Sequence, residues 1–235
     1  MSRMTLLEMT QNILSALDSD PVGSISETVE SEQVVEIIKE SFYELMSSRQ
    51  WPFLQTLTKL DGLGDTNNPC KMRIPSTLNK VLWVKYNEKE LTFLTPELFY
   101  AKILTRSSSP GKVDANGFGL DKDPSYYTSF DDEYFTFDSR DSTADATLQQ
   151  SKSDVFAIKQ AIFQLDDFWV PDIPEKFFPT LLAEAKAQAF VNLKQQANGR
   201  EERKAQRGRV ALRNEAWKNK LGEPKFNSRV NYGRK

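Results

Sequence analysis

The chain has 235 residues, enough for one large or two small domains, and 39% of them are hydrophobic, which is sufficient to build a core. It contains no histidine and one cysteine, Cys70. These counts exclude catalytic triads that use histidine, zinc sites that contain histidine, and a disulfide within the chain. No run of about 18 apolar residues occurs, and residues 1–20 lack a signal-peptide pattern, so we expect neither a membrane anchor nor secretion.

The small net charge of −2 hides an uneven distribution along the chain. Residues 194–235 hold thirteen Lys or Arg and four Asp or Glu, a balance of +9, which leaves −11 for residues 1–193. An acidic body joined to a basic tail favours a partner surface of negative potential.

Two amphipathic helices are predicted in the first fifty residues. The first runs from about Leu6 to Leu17, with a capping-box pattern at Thr5–Glu8. The second follows Ser31, the expected N-cap, and ends near Trp51, because Pro52 disfavours a helical residue before it. Together they predict a helical hairpin whose apolar stripes need partner helices elsewhere in the chain. The apolar stripe of the second helix consists of Val34, Val35, Ile38, Phe42, Leu45 and Met46.

Residues 53–172 have a pattern typical of strands and turns. Asn87-Glu88-Lys89 and Asp131-Asp132-Glu133 are predicted hairpin turns. A short helix is predicted over residues 96–106, and residues 107–125, rich in Ser, Gly, Pro and Asp, predict a long surface loop. Residues 146–165 are expected to add two strands. The other predicted strands are Phe53–Leu60, Lys71–Ile74, Lys80–Tyr86, Glu90–Leu94, Tyr126–Phe130 and Tyr134–Phe137.

The helical period returns after the break at Pro171-Asp172-Ile173-Pro174. A helix is predicted from Glu175 to Gln196, with Asn198-Gly199 as its C-terminal stop. A second, more polar helix is predicted from Arg200 to Leu221. The residues after it predict an unstructured arm.

The predicted fold class is α+β. The simplest arrangement is an antiparallel helical bundle built from both ends of the chain, with a β-rich extension inserted and a basic C-terminal arm. The bundle takes residues 1–52 and 173–222, the insertion takes 53–172 with the short helix 96–106, and the arm takes 223–235.

Several patterns could indicate small-molecule sites, but each has a simpler structural interpretation. Asp131-Asp132-Glu133 could bind a hard cation, yet it suits a turn and lacks the oxygen spacing of a calcium loop. Gly62-Leu63-Gly64 and Gly117-Phe118-Gly119 do not open a helix in a phosphate-binding pattern. The aromatic residues of 126–137 could form a platform for a sugar or base, but such residues are more often the two faces of a small sheet. We predict no catalytic residue, no metal site and no cofactor.

The basic residues near the end of the chain are the strongest candidates for a binding surface. A solvated helix face, a nucleic-acid contact and an arm that becomes ordered on another protein all fit their pattern. They are Arg200, Arg203, Lys204, Arg207, Arg209, Arg213, Lys218, Lys220, Lys225, Arg229, Arg234 and Lys235.

Three stretches, taken in order, resemble one family of phage proteins. The first is 5–22, which ends in Asp20-Pro21-Val22, together with the helix that ends in Ser48-Arg49-Gln50-Trp51-Pro52-Phe53. The others are Tyr126–Phe137, and Pro171–Glu175 before an alanine-rich helix. They are similar to the head-to-tail adaptors of short-tailed bacteriophages, the tail tubular protein A type.

The resemblance implies a structural virion protein that is not an enzyme. It implies a homo-oligomeric ring of twelve subunits between the portal protein and the tail nozzle protein, with tail fibres as a further partner. Double-stranded DNA would pass through the ring, which would be assembled in the host cytoplasm and sit in the tail or neck of the virion. On this basis the portal-interface candidates are the twelve basic residues above together with Trp217.

Two other functions remain as alternatives. A peptidoglycan hydrolase associated with the tail would need two carboxylates at a catalytic separation, and the acidic body supplies many pairs. A DNA-binding protein with a basic tail would show a steep salt dependence of duplex binding. The overall charge of −2 argues against DNA binding as the main function.

Overall fold

The protein has the predicted mixed α+β class. A computed structural model describes residues 3–63, 70–106, 118–119, 123–140 and 150–221, with side chains described up to residue 214. The chain forms two compact units, Met1–Phe53 with Ala161–Lys235, and Leu54–Gln160. The predicted arm 223–235 and most of the predicted loop 107–125 lie outside the described residues.

The first two predicted helices are confirmed as α1, Leu6–Ala16, and α2, Val29–Ser47. The Thr5 hydroxyl accepts a hydrogen bond from the Glu8 N–H at 3.2 Å, and the Glu8 carboxylate accepts one from the Thr5 N–H at 2.8 Å. This is the predicted capping box. All six residues of the predicted apolar stripe of α2 are buried.

The start of α2 differs from the prediction, because its N-cap is Thr28 and not Ser31. Ser31 lies one turn into the helix, where its fully buried hydroxyl accepts from the Thr28 N–H at 3.1 Å and donates to the Ile25 carbonyl at 2.9 Å. The prediction was wrong because Val29 is 71% exposed and therefore lies off the apolar stripe that marked the helix.

The two later helices are also confirmed, as α4, Phe178–Lys194, and α5, Gly199–Leu221. A short 3-10 turn, Glu175–Phe177, leads into α4, and Pro179 lies in the first turn of α4, where its missing N–H costs nothing.

The predicted stop of α4 at Asn198-Gly199 is wrong. Gln195 ends α4 in the left-handed conformation, with φ of 53°. Asn198 instead starts α5, because its side-chain oxygen accepts from the N–H groups of Arg200 at 3.2 Å and Glu201 at 3.3 Å. An Asn-Gly pair suits either helix end, since Asn is a good N-cap as well as a tolerant C-terminal residue.

Aromatic contacts join the residues after α2 to those before α4. Trp51 is buried and donates its indole N–H to the Leu45 carbonyl at 2.8 Å. The rings of Trp51 and Phe53 both meet Phe177 edge-on, with centroids 4.9 Å apart in each pair. In the same unit α1 packs on α2 and α4, α2 packs on α4, and α4 packs on α5.

The Leu54–Gln160 unit contains two sheets. Their strand orders are β1-β9-β4-β5 and β2-β3-β8-β7-β6, and the described pairs are antiparallel except β6 with β7. Helix α3, Pro96–Arg106, confirms the short predicted helix. The strands are β1 Gln55–Thr58, β2 Asp61–Gly62, β3 Lys71–Arg73, β4 Leu78–Tyr86, β5 Lys89–Glu90, β6 Thr92–Phe93, β7 Tyr126–Ser129, β8 Tyr134–Phe137 and β9 Ser153–Lys159.

Three strand predictions are corrected. Within 146–165 the described residues form one strand, β9, which pairs with β1 on one side and β4 on the other. The predicted strand Phe53–Leu60 begins with a 3-10 turn, so that only β1 is extended. The predicted strand Glu90–Leu94 is split at buried Leu91, where the chain passes from the first sheet to the second.

Both predicted hairpin turns are confirmed. Asn87 and Glu88 have φ values of 48° and 67°, as a tight two-residue turn requires. In the second turn the Asp131 carboxylate accepts from the N–H groups of Glu133 at 3.2 Å and Tyr134 at 3.0 Å. The acidic residues of that turn therefore organise its backbone.

A buried carboxylate fixes the start of β7. Asp138 is 3% exposed, and one of its oxygens accepts from the N–H groups of Ser125 at 2.8 Å and Tyr126 at 2.9 Å. Asp138→Ala removes that acceptor, so we expect the free energy of unfolding to fall by about 2 kcal/mol. Asp138→Asn keeps an oxygen acceptor and should cost clearly less. Urea denaturation followed by circular dichroism measures both, and equal losses would contradict this role.

Candidate interaction surface

Helix α5 contacts the rest of its unit along one narrow stripe. Between residues 199 and 214 only Ala205 and Leu212 are buried, and Glu201, Gly208 and Arg209 are half-buried. These five positions follow one face of the helix. The other positions in this range are exposed, which leaves most of the helix surface available to a partner.

Gly208 faces Thr180 of α4 at close range. A Cβ atom on Gly208 would overlap Thr180 Oγ1 and lie only 3.0 Å from Cγ2. Thr180 is buried, and a β-branched side chain on a helix has little freedom to turn away. Glycine is therefore the residue that lets α5 approach α4 here, although it costs about 1 kcal/mol relative to alanine inside a helix.

Arg209 connects α5 to both α4 and α2. Its Nε donates to Glu184 Oε1, and its Nη2 donates to Glu44 Oε1 at 2.9 Å. The Glu184 side chain is 3% exposed, whereas those of Arg209 and Glu44 are 38% and 51% exposed. The second oxygen of Glu184 is buried without a hydrogen-bond partner in the described part of the chain. The position of Glu184 therefore depends strongly on one arginine.

Gln188 extends this network toward the centre of the helices. Its amide nitrogen lies 3.5 Å from Glu44 Oε2, and its amide oxygen accepts from the fully buried Ser41 hydroxyl at 2.9 Å. Through Gln188 of α4, the network thus connects exposed Glu44 of α2 to Ser41, which lies on the buried side of the same helix.

Burial dominates the electrostatics of Glu184. It raises the pKa of this carboxyl above its ordinary value, despite the hydrogen bond and charge of Arg209, and Glu44 adds to the rise. The hydrogen bond to Glu184 raises the pKa of Arg209, so the guanidinium stays charged. The pair therefore joins a permanent cation to a carboxylate whose ionisation is costly at this site.

A second pair of charges lies nearer the start of α5. Lys204 forms an ion pair with Glu201 at 3.6 Å. On α4, burial lowers the pKa of Lys186, with Glu201 opposing and Lys204 assisting that shift. These charges belong to the contact between α4 and α5.

Three of the thirteen candidate residues form one exposed face of α5, which we name the basic face: Arg200, Arg203 and Arg207. The spacing of these three arginines places them nearly opposite the contact stripe. Lys204 is exposed at the edge of the contact stripe, where it pairs with Glu201. Arg213 is exposed beside that stripe, whereas Arg209 is used inside the subunit. Trp217, Lys218 and Lys220 lie at the end of α5, beyond the described side chains. Lys225, Arg229, Arg234 and Lys235 lie outside the described residues.

Glu44, Glu184 and Gly208 were missed by sequence reasoning. The signal for Glu184 was a carboxylate within the alanine-rich stretch of 183–189, where alanines indicate close helix packing on more than one side. Gly208 gave a second signal, because glycine inside a long helix usually has a packing reason.

The Asp131-Asp132-Glu133 pattern belongs to a turn, and part of the aromatic pattern belongs to the core of the Leu54–Gln160 unit. Gly64 and Gly117, from the two glycine pairs, lie outside the described residues. The Tyr127 ring meets Phe135 at 5.0 Å and Phe93 at 5.4 Å, and Tyr127 is 7% exposed. Burial raises the pKa of Tyr127, and the charge of Glu90 raises it further. Tyr127, Phe135 and Phe137 therefore serve as core packing, whereas Phe93 and Phe130 remain exposed.

Within the described ranges, no group of three acidic or cysteine side chains is placed to hold a metal ion. The same part of the chain contains no helix with the length and apolarity needed to cross a bilayer.

No family model matches the sequence, and no curated protein matches it.

Proposed function

We propose that the protein is a head-to-tail adaptor of a short-tailed phage, a structural and non-enzymatic component of the virion neck. Twelve copies form a ring that joins the portal protein to the tail nozzle protein, with tail fibres as a further partner. Double-stranded DNA passes through the ring. The proposal follows the resemblance of the sequence stretches that surround α2 and precede α4.

One observation carries the proposal, namely that the end of the first stretch meets the residues that directly follow the stretch 171–175. Trp51 and Phe53, from the first stretch, both contact Phe177, which follows the stretch 171–175. Arg49 donates to the Arg213 carbonyl at 3.1 Å and so links the first stretch to α5. The end of the first stretch therefore joins the two ends of the chain.

The finer fold in this proposal is an antiparallel helical bundle with an inserted β-rich extension and a basic C-terminal arm. The helix directions support the bundle. Arg209 contacts Glu44, and Arg49 contacts Arg213 further along, so α2 and α5 run in the same direction. Phe177, just before α4, meets Trp51, just after α2, so α4 runs the opposite way.

We assign the portal contact to the basic face of α5. Its three cations lie at helical spacing on a surface that the subunit itself does not cover. Opposite charges across an interface steer association and fix register, so an acidic portal surface is the expected counterpart.

Charge reversal tests this assignment. The double variant Arg203→Glu/Arg207→Glu should weaken docking onto isolated portal rings at least about tenfold, because like charges facing each other cost several kcal/mol. Co-sedimentation with portal rings measures the affinity, and negative-stain images show whether the collar of density forms.

The matched control is Lys80→Glu/Lys159→Glu, which makes the same charge change at exposed positions of β4 and β9. Docking that is unchanged in the first variant, or lost equally in both, contradicts the assignment. A variant that loses affinity for duplex DNA while portal docking stays intact would identify the basic face as a nucleic-acid surface instead.

A further inference from the structure

A surface groove of about 540 Å³ lies between the first half of α2 and residues 165–167. Leu165 is 63% exposed there, which leaves a large apolar side chain open to a partner. The apolar residues that line the groove are Ile25, Val35 and Leu165. The acidic residues that line it are Glu32, Glu36, Asp166 and Asp167.

The groove is held in shape by hydrogen bonds inside the subunit. The Asp167 carboxylate accepts from the Ile25 N–H at 2.8 Å, and its carbonyl accepts from the Leu7 N–H at 3.2 Å. The Trp169 carbonyl accepts from the Leu6 N–H at 2.9 Å. Both walls are thus fixed to the first turn of α1 or to each other, so a ligand need not order them.

The residues that follow α5 have the complementary chemistry. Residues 222–235 read GEPKFNSRVNYGRK, with four basic side chains and one acidic one. Phe226, Val230 and Tyr232 are interspersed among the cations and suit an apolar lining. A groove with apolar residues and four carboxylates matches such a segment in both charge and hydrophobicity.

We propose that the groove of one copy binds residues 222–235 of a neighbouring copy. The inference rests on the ring in the proposed function and names the contact that closes it. Each copy would contribute its groove to one neighbour and its segment 222–235 to the other, so the contact is head-to-tail. Contacts of this type form rings when the rotation between neighbouring copies leads back to the first copy.

The geometry favours a neighbour over the chain's own segment. Helix α5 passes Arg49 at Arg213 and ends at Leu221, at the end of α2 away from the groove. From the helical rise, Glu36 to Arg49 spans about 20 Å and Arg213 to Leu221 adds about 12 Å. To reach the groove of its own subunit, the segment 222–235 would have to run back over about 30 Å. That distance would use roughly nine extended residues and leave few to occupy the groove.

Disulfide trapping between two populations of full-length chain tests the contact. One population carries Ser26→Cys in the groove, and the other carries Asn227→Cys. The native Cys70 is buried and can stay in place. Mild oxidation of the mixture should give a mixed dimer, identified by mass, in at least about tenfold higher yield than the control pair Ser47→Cys with Asn227→Cys. Ser47 is exposed at the opposite end of α2. Equal yields in the two mixtures overturn the inference.

A labelled peptide of residues 222–235 provides a measure of affinity. Its fluorescence anisotropy should rise on titration with the full-length chain, and Glu32→Lys/Glu36→Lys should weaken binding at least about tenfold. Glu40→Lys/Glu202→Lys makes the same charge change at exposed positions outside the groove and should leave binding within about twofold. Equal effects of the two variants, or a peptide that binds portal rings but not this chain, contradict the inference.

The outcome is separable from that of the proposed function, because neither measurement contains portal. If dimers are trapped but the chain does not dock onto portal rings, the proposed portal contact is wrong and the groove contact is supported. If the chain docks normally but no dimer is trapped, the groove contact is wrong and the portal contact is supported.

Discussion

Replacing Arg209 by alanine is expected to lower the free energy of unfolding by about 2–3 kcal/mol at neutral pH. The change leaves the Glu184 carboxylate, 3% exposed, without its cation. Breaking a fully buried pair costs about 3–5 kcal/mol, and the expected loss is smaller because Arg209 is 38% exposed and water screens part of the interaction. Urea denaturation followed by far-ultraviolet circular dichroism measures the loss.

The deficit of Arg209→Ala should shrink as the pH falls. Burial raises the pKa of Glu184 in the native state, and removing Arg209 raises it further, because that arginine lowers it in the intact protein. A carboxyl whose native pKa exceeds its unfolded value contributes stability that is present at low pH and is lost as the pH rises through the native pKa. As the pH falls from neutral toward the ordinary carboxyl pKa of 4.5, the free energy of unfolding of the variant should therefore approach that of the parent protein.

Two further variants separate charge from packing. Arg213→Ala removes an exposed arginine from the same helix and should change stability by no more than about 0.5 kcal/mol. Combining Arg209→Ala with Glu184→Gln should remove the pH dependence of the deficit, because no buried carboxylate remains. A deficit in Arg209→Ala that is constant with pH would mean that the arginine acts through the packing of its stem.

Replacing Gly208 by valine is expected to cost about 3 kcal/mol, the upper range for overpacking a core contact. The new Cβ would overlap Thr180 Oγ1, and the branched side chain cannot avoid α4 without moving α5. A shift of α5 also pulls Arg209 from Glu184. Thermal and urea denaturation measure the loss, and Gly199→Ala is the control, because its Cβ meets nothing within 4 Å.

A double-mutant cycle identifies the cause of the Gly208 effect. Thr180→Ala removes the Oγ1 and Cγ2 atoms that a new side chain would meet. Gly208→Ala should therefore be less destabilising in the Thr180→Ala background than in the parent chain. Additive losses would show that Thr180 does not set the approach of the two helices.

The helices could be predicted because their signals are local. The apolar stripe of α2 and the Thr5–Glu8 capping box each depend on residues within a few turns, so a pattern of short range is sufficient. The turn at Asp131 was likewise predictable, because an aspartate carboxylate organises the next few backbone groups.

Features that depend on distant partners could not be predicted. Strand β9 is one strand instead of two because it pairs with β1 and β4, which lie about 70 to 100 residues away in the chain. The predicted strand Glu90–Leu94 is split at Leu91 because the residues before Leu91 pair in one sheet and those after it pair in the other. In both cases the tertiary contacts override the alternation that the sequence shows.

The candidate surface shows the same limit. Arg203 and Arg209 look alike in sequence, yet one is exposed and the other holds a buried carboxylate. Which arginine faces the rest of the subunit depends on how α5 is aligned against α4. Gly208 marks that alignment, because it is the residue of α5 that lies against Thr180 of α4. A basic run therefore indicates a charged helix, while its available face follows only from the packing.

The Leu54–Gln160 unit begins and finishes on adjacent strands, since Gln55 of β1 is paired with Ile158 of β9. Paired positions on antiparallel strands are about 5 Å apart, so the two junctions of the insertion are close neighbours. An entire cassette can consequently be exchanged between related chains without altering the distance that the helices on either side must bridge. Recombination at these two junctions gives such a protein a route to acquire a new β-rich unit in a single step.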